Sequence, residues 1–490
     1  MNLDTVPLDR STGRPLYLQI CEALISAIER GVLPPGERLP SERDLANWLA
    51  VSRTTAAAAY RELEARGLVR GHVGRGTYIC AVPDGDGAPF AWRGEGDLAA
   101  QRTVDPALRS LVRAAADAEM ISFAAGSAAL DCFPVDLFRE TTDRVLRDNP
   151  AAALGLGPTE GQPALRRALA TRFGARPEML LILTGAQQGL DLIARCLLDP
   201  GDRVVMDRPG YLGAIQTFRA AGAHIAGWDA ERADLAEIED LILRYRPKLL
   251  YTNPTFQNPT GRTLPAGTRR DLLALAARYR LPVVEDEPYR ELTFGVRPPP
   301  ALFHLDEHAL VIHLGTFSKT FAPGLRLGWL AASPAIVDQL TLIKQHSDVF
   351  TATLPQLVVA RLLQDGRYDA HLGALRIQHA ARHATMLREL DRCLPPGTMQ
   401  YAPVEGGLYV WCRLTGGLDA TLMSGVATAA GVSYVSGDLF YPDPVGACEL
   451  RLCFTSAPPA RIEQGVQRLA GVIASGAAHS HRADSTRPLV

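Results

Sequence analysis

Val311-Ile312-His313-Leu314-Gly315-Thr316-Phe317-Ser318-Lys319 carries one of only three lysines in a chain of 490 residues; the others are Lys248 and Lys344. Its first four residues are mostly apolar and two are β-branched, which predicts a short buried strand. Lys319 then stands just past the carboxyl end of that strand, where open parallel sheets place their sites. Arginine has replaced lysine nearly everywhere else, and a guanidinium stays protonated and cannot act as a free amine. Amine chemistry in this chain therefore has three candidates. Lys248 and Lys344 lack such a setting and read as ordinary charges.

Outward from this stretch, strands and helices alternate. Leu180–Leu183, Arg203–Met206, Leu249–Tyr251, Pro282–Val284 and Leu327–Ala331 read as further strands, with helices such as Gly189–Leu198 and Thr268–Tyr279 between them. The alternation predicts an α/β domain over residues 116–475 with a largely parallel sheet, and a smaller α+β subdomain from about 355. Residues 476–490 are polar and read as a disordered tail.

Polar residues cluster at the ends of these strands. Asp286 ends an apolar run and Tyr289 follows three residues on. Asn258 precedes Pro259-Thr260-Gly261. Gly185-Ala186-Gln187 opens a helix, where exposed backbone N–H groups suit a phosphate. Thr316 and Ser318 flank Lys319, and Arg326 lies seven residues beyond it, a fork suited to gripping an anion. Tyr211 follows Pro209-Gly210. Arg451 sits alone in the apolar run from Glu449 to Phe454. Singly, each of these would be an ordinary packing residue or surface charge. In this order they resemble the fold type I aminotransferases across about residues 120–470.

That resemblance implies pyridoxal 5'-phosphate (PLP) as cofactor, with Lys319 as its Schiff-base lysine. Asp286 would face the ring nitrogen, Asn258 and Tyr289 the phenolic oxygen, and Tyr211 the ring itself. Arg326, Thr316, Ser318, Ala186 and Gln187 would hold the phosphate, and Arg451 a substrate carboxylate. One position departs from the family. Ahead of Gly161, where such enzymes often carry a tyrosine, the sequence reads Ala153-Leu154-Gly155-Leu156-Gly157-Pro158, with no hydroxyl.

The first 80 residues are a different module. Leu16, Ile20, Leu24 and Ile28 recur at helical spacing. Ser41 and Ser52 each stand where they can cap a further helix, the second ending near Ala65. Leu68-Val69-Arg70 and Thr77-Tyr78-Ile79 read as a hairpin around Gly74-Arg75-Gly76. Three helices and a hairpin in residues 10–80 make a winged helix-turn-helix. Ser41-Glu42-Arg43-Asp44-Leu45-Ala46 and Ser52-Arg53-Thr54-Thr55 resemble the GntR family of bacterial regulators. The resemblance implies double-stranded operator DNA as partner, met by Ser52, Arg53, Thr54 and Thr55 at the start of the recognition helix, by Arg43 on the helix before it, and by Gly74 and Arg75 in the wing. From 50 to 77 there are five arginines against two glutamates, although the whole chain has a net charge of −2.

A linker over 81–115 joins the modules. GntR-like reader and aminotransferase-like domain in this order resemble the MocR/GabR type of regulator. That implies a head-to-tail homodimer which binds a small amine or amino-acid effector, or senses PLP itself. An active aminotransferase with an appended DNA reader stays open, as does partial transaminase half-reaction activity in a regulator. The eight cysteines are scattered, which points to isolated thiols in the cytoplasm and to no metal site. No apolar run is long enough for a membrane span.

Overall fold

The computed structural model describes residues 8, 14–29, 32–34, 36–72, 76–80, 119–443 and 445–485. The chain divides into two units, one within residues 1–96 and one within 97–490. The expected linker, and Gly74 and Arg75 of the wing, lie outside the described residues.

The first unit holds α1 (Leu16–Glu29), α2 (Glu42–Trp48), α3 (Arg53–Ala65), β1 (Val69–His72) and β2 (Gly76–Ile79). Ser41 caps α2 by accepting from the Asp44 N–H, and Ser52 caps α3 by accepting from the Thr55 N–H at 3.1 Å. These bonds satisfy donors that a helix start leaves orphaned. Ile20, Leu24, Leu45, Ala56, Leu63 and Val69 fill the core between the helices and the hairpin. Trp48, on α2, is 58% exposed. Residues 37–39 extend the wing: Arg38 bridges Tyr78, and the Leu39 N–H donates to Thr77 O at 2.9 Å.

In the second unit the first described strand is β3 (Ile121–Ser122). Its central sheet contains β4 (Leu180–Leu183), β5 (Arg203–Asp207), β6 (His224–Trp228), β7 (Leu249–Thr252), β8 (Val283–Asp286), β9 (Val311–Thr316) and β10 (Gly328–Ala331), in the order β4-β10-β9-β8-β7-β5-β6. All pairs from β9 to β6 are parallel, while β10 runs antiparallel to both its neighbours. Each of the six expected strands is present within a residue or two of its expected ends. The edge strand β6 was not expected: it is mostly half-exposed and interrupted by Gly227, so it lacks an apolar run. The helices pack against both faces of this sheet. Among them α4 (Ala186–Leu197) follows β4 and α5 (Pro334–Ser347) follows β10.

A smaller sheet, β11 (Met399–Tyr401), β12 (Tyr409–Leu414), β15 (Glu449–Cys453) and β14 (Val435–Ser436) in that order, forms the second subdomain. The strand β13 (Val432–Ser433) pairs with β3, so residues 119–123 join this subdomain rather than the first. It is closed by α6 (Arg367–Cys393) and α7 (Pro459–Ser485). The tail expected to be disordered from 476 is therefore helical as far as Ser485. Residues 486–490 of that tail lie outside the described residues. All eight cysteines are free, and no helix among the described residues is long and apolar enough to cross a membrane.

Candidate functional site

The carboxyl ends of β4, β5, β7, β8 and β9 converge on one hollow, shared between a cavity of about 370 Å³ and a second of about 130 Å³. Lys319, Asn258, Tyr289, Tyr211 and Gln187 line both. Sequence separation is large here, so only the sheet brings these residues together.

Lys319 donates from Nζ to Gly126 O at 2.5 Å. Burial, and after it the positive charges of Arg451 and Arg326, bring its pKa down to about 8. A larger fraction of the amine is then free at neutral pH than for an exposed lysine. Asp286 is 4% exposed and accepts at Oδ2 from the Tyr251 hydroxyl at 2.7 Å. Burial pushes its carboxyl up to about 6, against the pull of that hydrogen bond.

Asn258 and Tyr289 are both buried, with Asn258 Nδ2 3.5 Å from the Tyr289 hydroxyl, and Tyr289 lies 3.2 Å from the Tyr409 hydroxyl. Tyr211 stands just ahead of the helix Leu212–Ala220 and lines both cavities. The Gln187 side chain donates to Thr217 Oγ1 at 2.7 Å and accepts from the Tyr211 hydroxyl at 3.5 Å.

At the other end, Gly185 has φ +83° and Arg326 packs directly on it. A Cβ there would come within 2.6 Å of Arg326 Nη2. This is a position where only glycine fits. Thr316 Oγ1 lies 3.0 Å from Ser318 Oγ, and Ala186 begins α4 beside them. Arg326, the Thr316 and Ser318 hydroxyls and the first N–H groups of α4 thus face one small cavity. Opposite, Arg451 lies with its guanidinium 4.1 Å above the Tyr409 ring. It donates from Nη1 to Asn258 Oδ1 at 2.8 Å and from Nη2 to Ala124 O at 2.7 Å, and its buried Nε has no partner.

All eleven residues expected in this site lie around the two cavities. Sequence reasoning missed Gly126, Tyr251 and Tyr409. Nothing local marks Tyr251, because its role exists only across the sheet. Gly126 sits opposite Tyr409: a Cβ on it would come within 2.6 Å of the Tyr409 hydroxyl and 3.9 Å of Lys319 Nζ.

In the first unit, a groove of about 810 Å³ runs between the start of α3 and the wing, lined by Arg38, Arg43 and Arg53 among others. Arg53 is exposed and stands 3.6 Å from Glu42. The Ser52 hydroxyl is within 2.7 Å of those of both Thr54 and Thr55, so capping occupies much of its bonding capacity. Arg38 was not foreseen. It lies against Gly76, and its signal was only its place ahead of Leu39-Pro40-Ser41.

Comparison with known proteins fits both sites. Residues 119–469 match the family "Aminotransferase class I and II", and residues 16–79 match "Bacterial regulatory proteins, gntR family". A 2-aminoadipate transaminase of Thermus thermophilus is 37% identical over 78% of this chain and 97% of its own length. A probable rhizopine catabolism regulatory protein, MocR, of Rhizobium meliloti is 29% identical over 94% of each chain. The crystal structure of LysN, an α-aminoadipate aminotransferase from Thermus thermophilus complexed with N-(5'-phosphopyridoxyl)-L-leucine, superposes with a TM-score of 0.75. It is 36% identical, and the match covers 80% of this chain and all of that one.

The cofactor of this family is PLP. The hollow offers an amine, a buried carboxylate, three phenols and a guanidinium beside a helix start, a donor set that complements the group's aldehyde, ring nitrogen, phenolic oxygen and phosphate. The chain belongs to the class I and II aminotransferase family and, with its GntR-family reader, is a PLP-dependent, DNA-binding regulator of the MocR type.

Proposed function

We propose that this regulator responds to a small amine or amino acid that reaches PLP at Lys319, or to PLP itself, and that it passes the change to operator DNA in the cytoplasm. One observation carries the reading: the single lysine beside a buried carboxylate and a partly unpartnered arginine also has its pKa lowered to about 8. Bound PLP supplies an aldehyde to which amines add reversibly, and a protonated ring that withdraws electrons. The protein's part is binding, orientation and charge.

Lys319 presents the amine for the aldehyde. Asp286 holds a proton on the ring nitrogen. Asn258 and Tyr289 donate to the phenolic oxygen, and Tyr211 packs on the ring face. Arg326, Thr316 and Ser318, with the backbone of Ala186 and Gln187, grip the phosphate. Arg451 takes the carboxylate of an amino-acid effector, since it lines the larger cavity with its guanidinium. In the reader, Ser52, Arg53, Thr54 and Thr55 meet base edges and nearby phosphates, while Arg43, Gly74 and Arg75 meet the backbone.

Two readers serve two half-sites in a head-to-tail homodimer. Leu154 and Leu156 support this. They are 75% and 89% exposed, in the segment that lacks the family's tyrosine. Effector binding must then shift an equilibrium between states that present the readers differently. In a reporter assay Lys319→Ala abolishes the effector response; a response equal to wild type rejects the mechanism.

A second reading, a working aminotransferase, is favoured by the completeness of the polar set around Lys319. Sustained keto-acid production from a panel of amino acids with 2-oxoglutarate supports it, and a single stoichiometric turnover or none supports the regulator.

A further inference from the structure

Lys344, expected to be an ordinary charge, is fully buried on α5. A buried ammonium is retained only where it has partners. Its Nζ donates to Asp348 Oδ1 at 2.8 Å. The other carboxylate oxygen of Asp348 accepts twice more, from Thr184 Oγ1 at 2.9 Å and from Gln188 Nε2 at 2.7 Å. Thr184 and Gln188 bracket Gly185-Ala186-Gln187, the turn that opens α4 beside Arg326. Asp348 therefore grips both ends of that turn from behind, about 160 residues away in sequence.

The grip has a stereochemical consequence. A glutamine amide can face either way round. Donation from Nε2 to Asp348 fixes it so that Oε1 accepts from the Thr184 N–H at 2.7 Å. Gln188 is the third residue of α4, so this bond is a near relative of the capping box. It absorbs the amide just ahead of the helix and leaves those that follow for a ligand. Lys344 meanwhile neutralises the carboxylate, so no uncompensated negative charge stands behind an anion site.

The backbone next to Asp348 is strained as well. Val349 has φ +64°, in the left-handed region that β-branched residues avoid, and it is 56% exposed. Such an outlier persists when its surroundings over-determine it. The bonds converging on the Asp348 side chain, and the bond from the Phe350 N–H to Asp348 O at 2.7 Å, do so here.

We propose that Lys344 and Asp348 are positioning residues that hold the turn 184–188 in its phosphate-binding shape. The proposal rests on the reading of that turn as the phosphate cradle, and the test separates the two.

Full-length protein stripped of cofactor is titrated with PLP and with pyridoxal, which lacks the phosphate, and the ratio of their affinities is compared among variants. In wild type the ratio exceeds about a hundredfold; a ratio near one overturns the cradle reading itself. With the cradle intact, Asp348→Asn and Lys344→Met each lower the ratio by about tenfold, the loss expected for one charge-assisted hydrogen bond, while pyridoxal affinity stays within about twofold. Thr184→Val removes one hydroxyl donor with little change of shape and lowers the ratio in the same direction, should either charge variant fold poorly. A ratio unchanged in all three variants, or an equal loss for both ligands, overturns the proposal.

Discussion

Tyr251 donates its hydroxyl to Oδ2 of Asp286 at 2.7 Å, and neither side chain is more than 4% exposed. The bond favours the charged carboxylate, whereas burial favours the neutral acid and carries its pKa up to about 6. Asp286 must be ionised to pair with a protonated ring nitrogen. Tyr251→Phe removes the favourable contribution, so more of the carboxyl is protonated near neutrality. PLP affinity in the variant falls by about tenfold at pH 6.5 and by much less at pH 8.5, measured by absorbance titration at both values. Equal losses at the two pH values would show that Tyr251 does not tune this carboxylate.

Among the described residues, Arg451 is the only arginine lining the larger cavity. Arg451→Gln weakens the response to an amino acid by roughly ten- to a hundredfold, the range of a charge-assisted pair. It leaves the response to the matching amine without a carboxylate nearly unchanged. Dose–response curves for such an acid and amine pair provide the check.

In the reader, Arg38 and Arg53 line the same groove but stand on different elements. Arg38 lies against the wing, so Arg38→Ala weakens operator and unrelated DNA alike and lowers the slope of log affinity against log salt by about one. Arg53 begins the recognition helix, so Arg53→Ala costs the operator more than unrelated DNA. Ser52→Ala loses the cap to the Thr55 N–H and destabilises this unit by about 1 kcal/mol. Binding titrations at two salt concentrations and thermal melts measure these effects.

His379 on α6 is fully buried, and both ring nitrogens lack partners. Burial, with Arg382 and His371 nearby, drives its pKa down to about 3. Its folded value lies below the unfolded one of about 6.5, so the unfolded chain takes the proton first. Stability is therefore lost as pH falls below about 6.5. His379→Phe removes that loss. Between pH 7 and pH 5 the variant declines by about 2 kcal/mol less than wild type, as read from denaturant melts at the two pH values.

Much of this was legible locally. Ser41 and Ser52 announced helix starts because capping is a matter of three or four neighbouring residues. The strand before Lys319 and the glycine at 185 were readable for the same reason. What the chain hid was long-range. Nothing near Tyr251 signals that it meets Asp286, and Lys344 looked like any charge until Asp348 and the turn at 184–188 were packed around it. The edge strand β6 escaped because half-exposed residues lack the apolar run of a central strand.

Borohydride reduction of the PLP-loaded protein followed by peptide mapping tests the central claim most directly, since the chain has only three lysines. The phosphopyridoxyl group is expected on Lys319 alone, with none on Lys248 or Lys344 and none anywhere in Lys319→Ala. A reduced adduct on another lysine, or its absence from a protein saturated with PLP, would contradict the account.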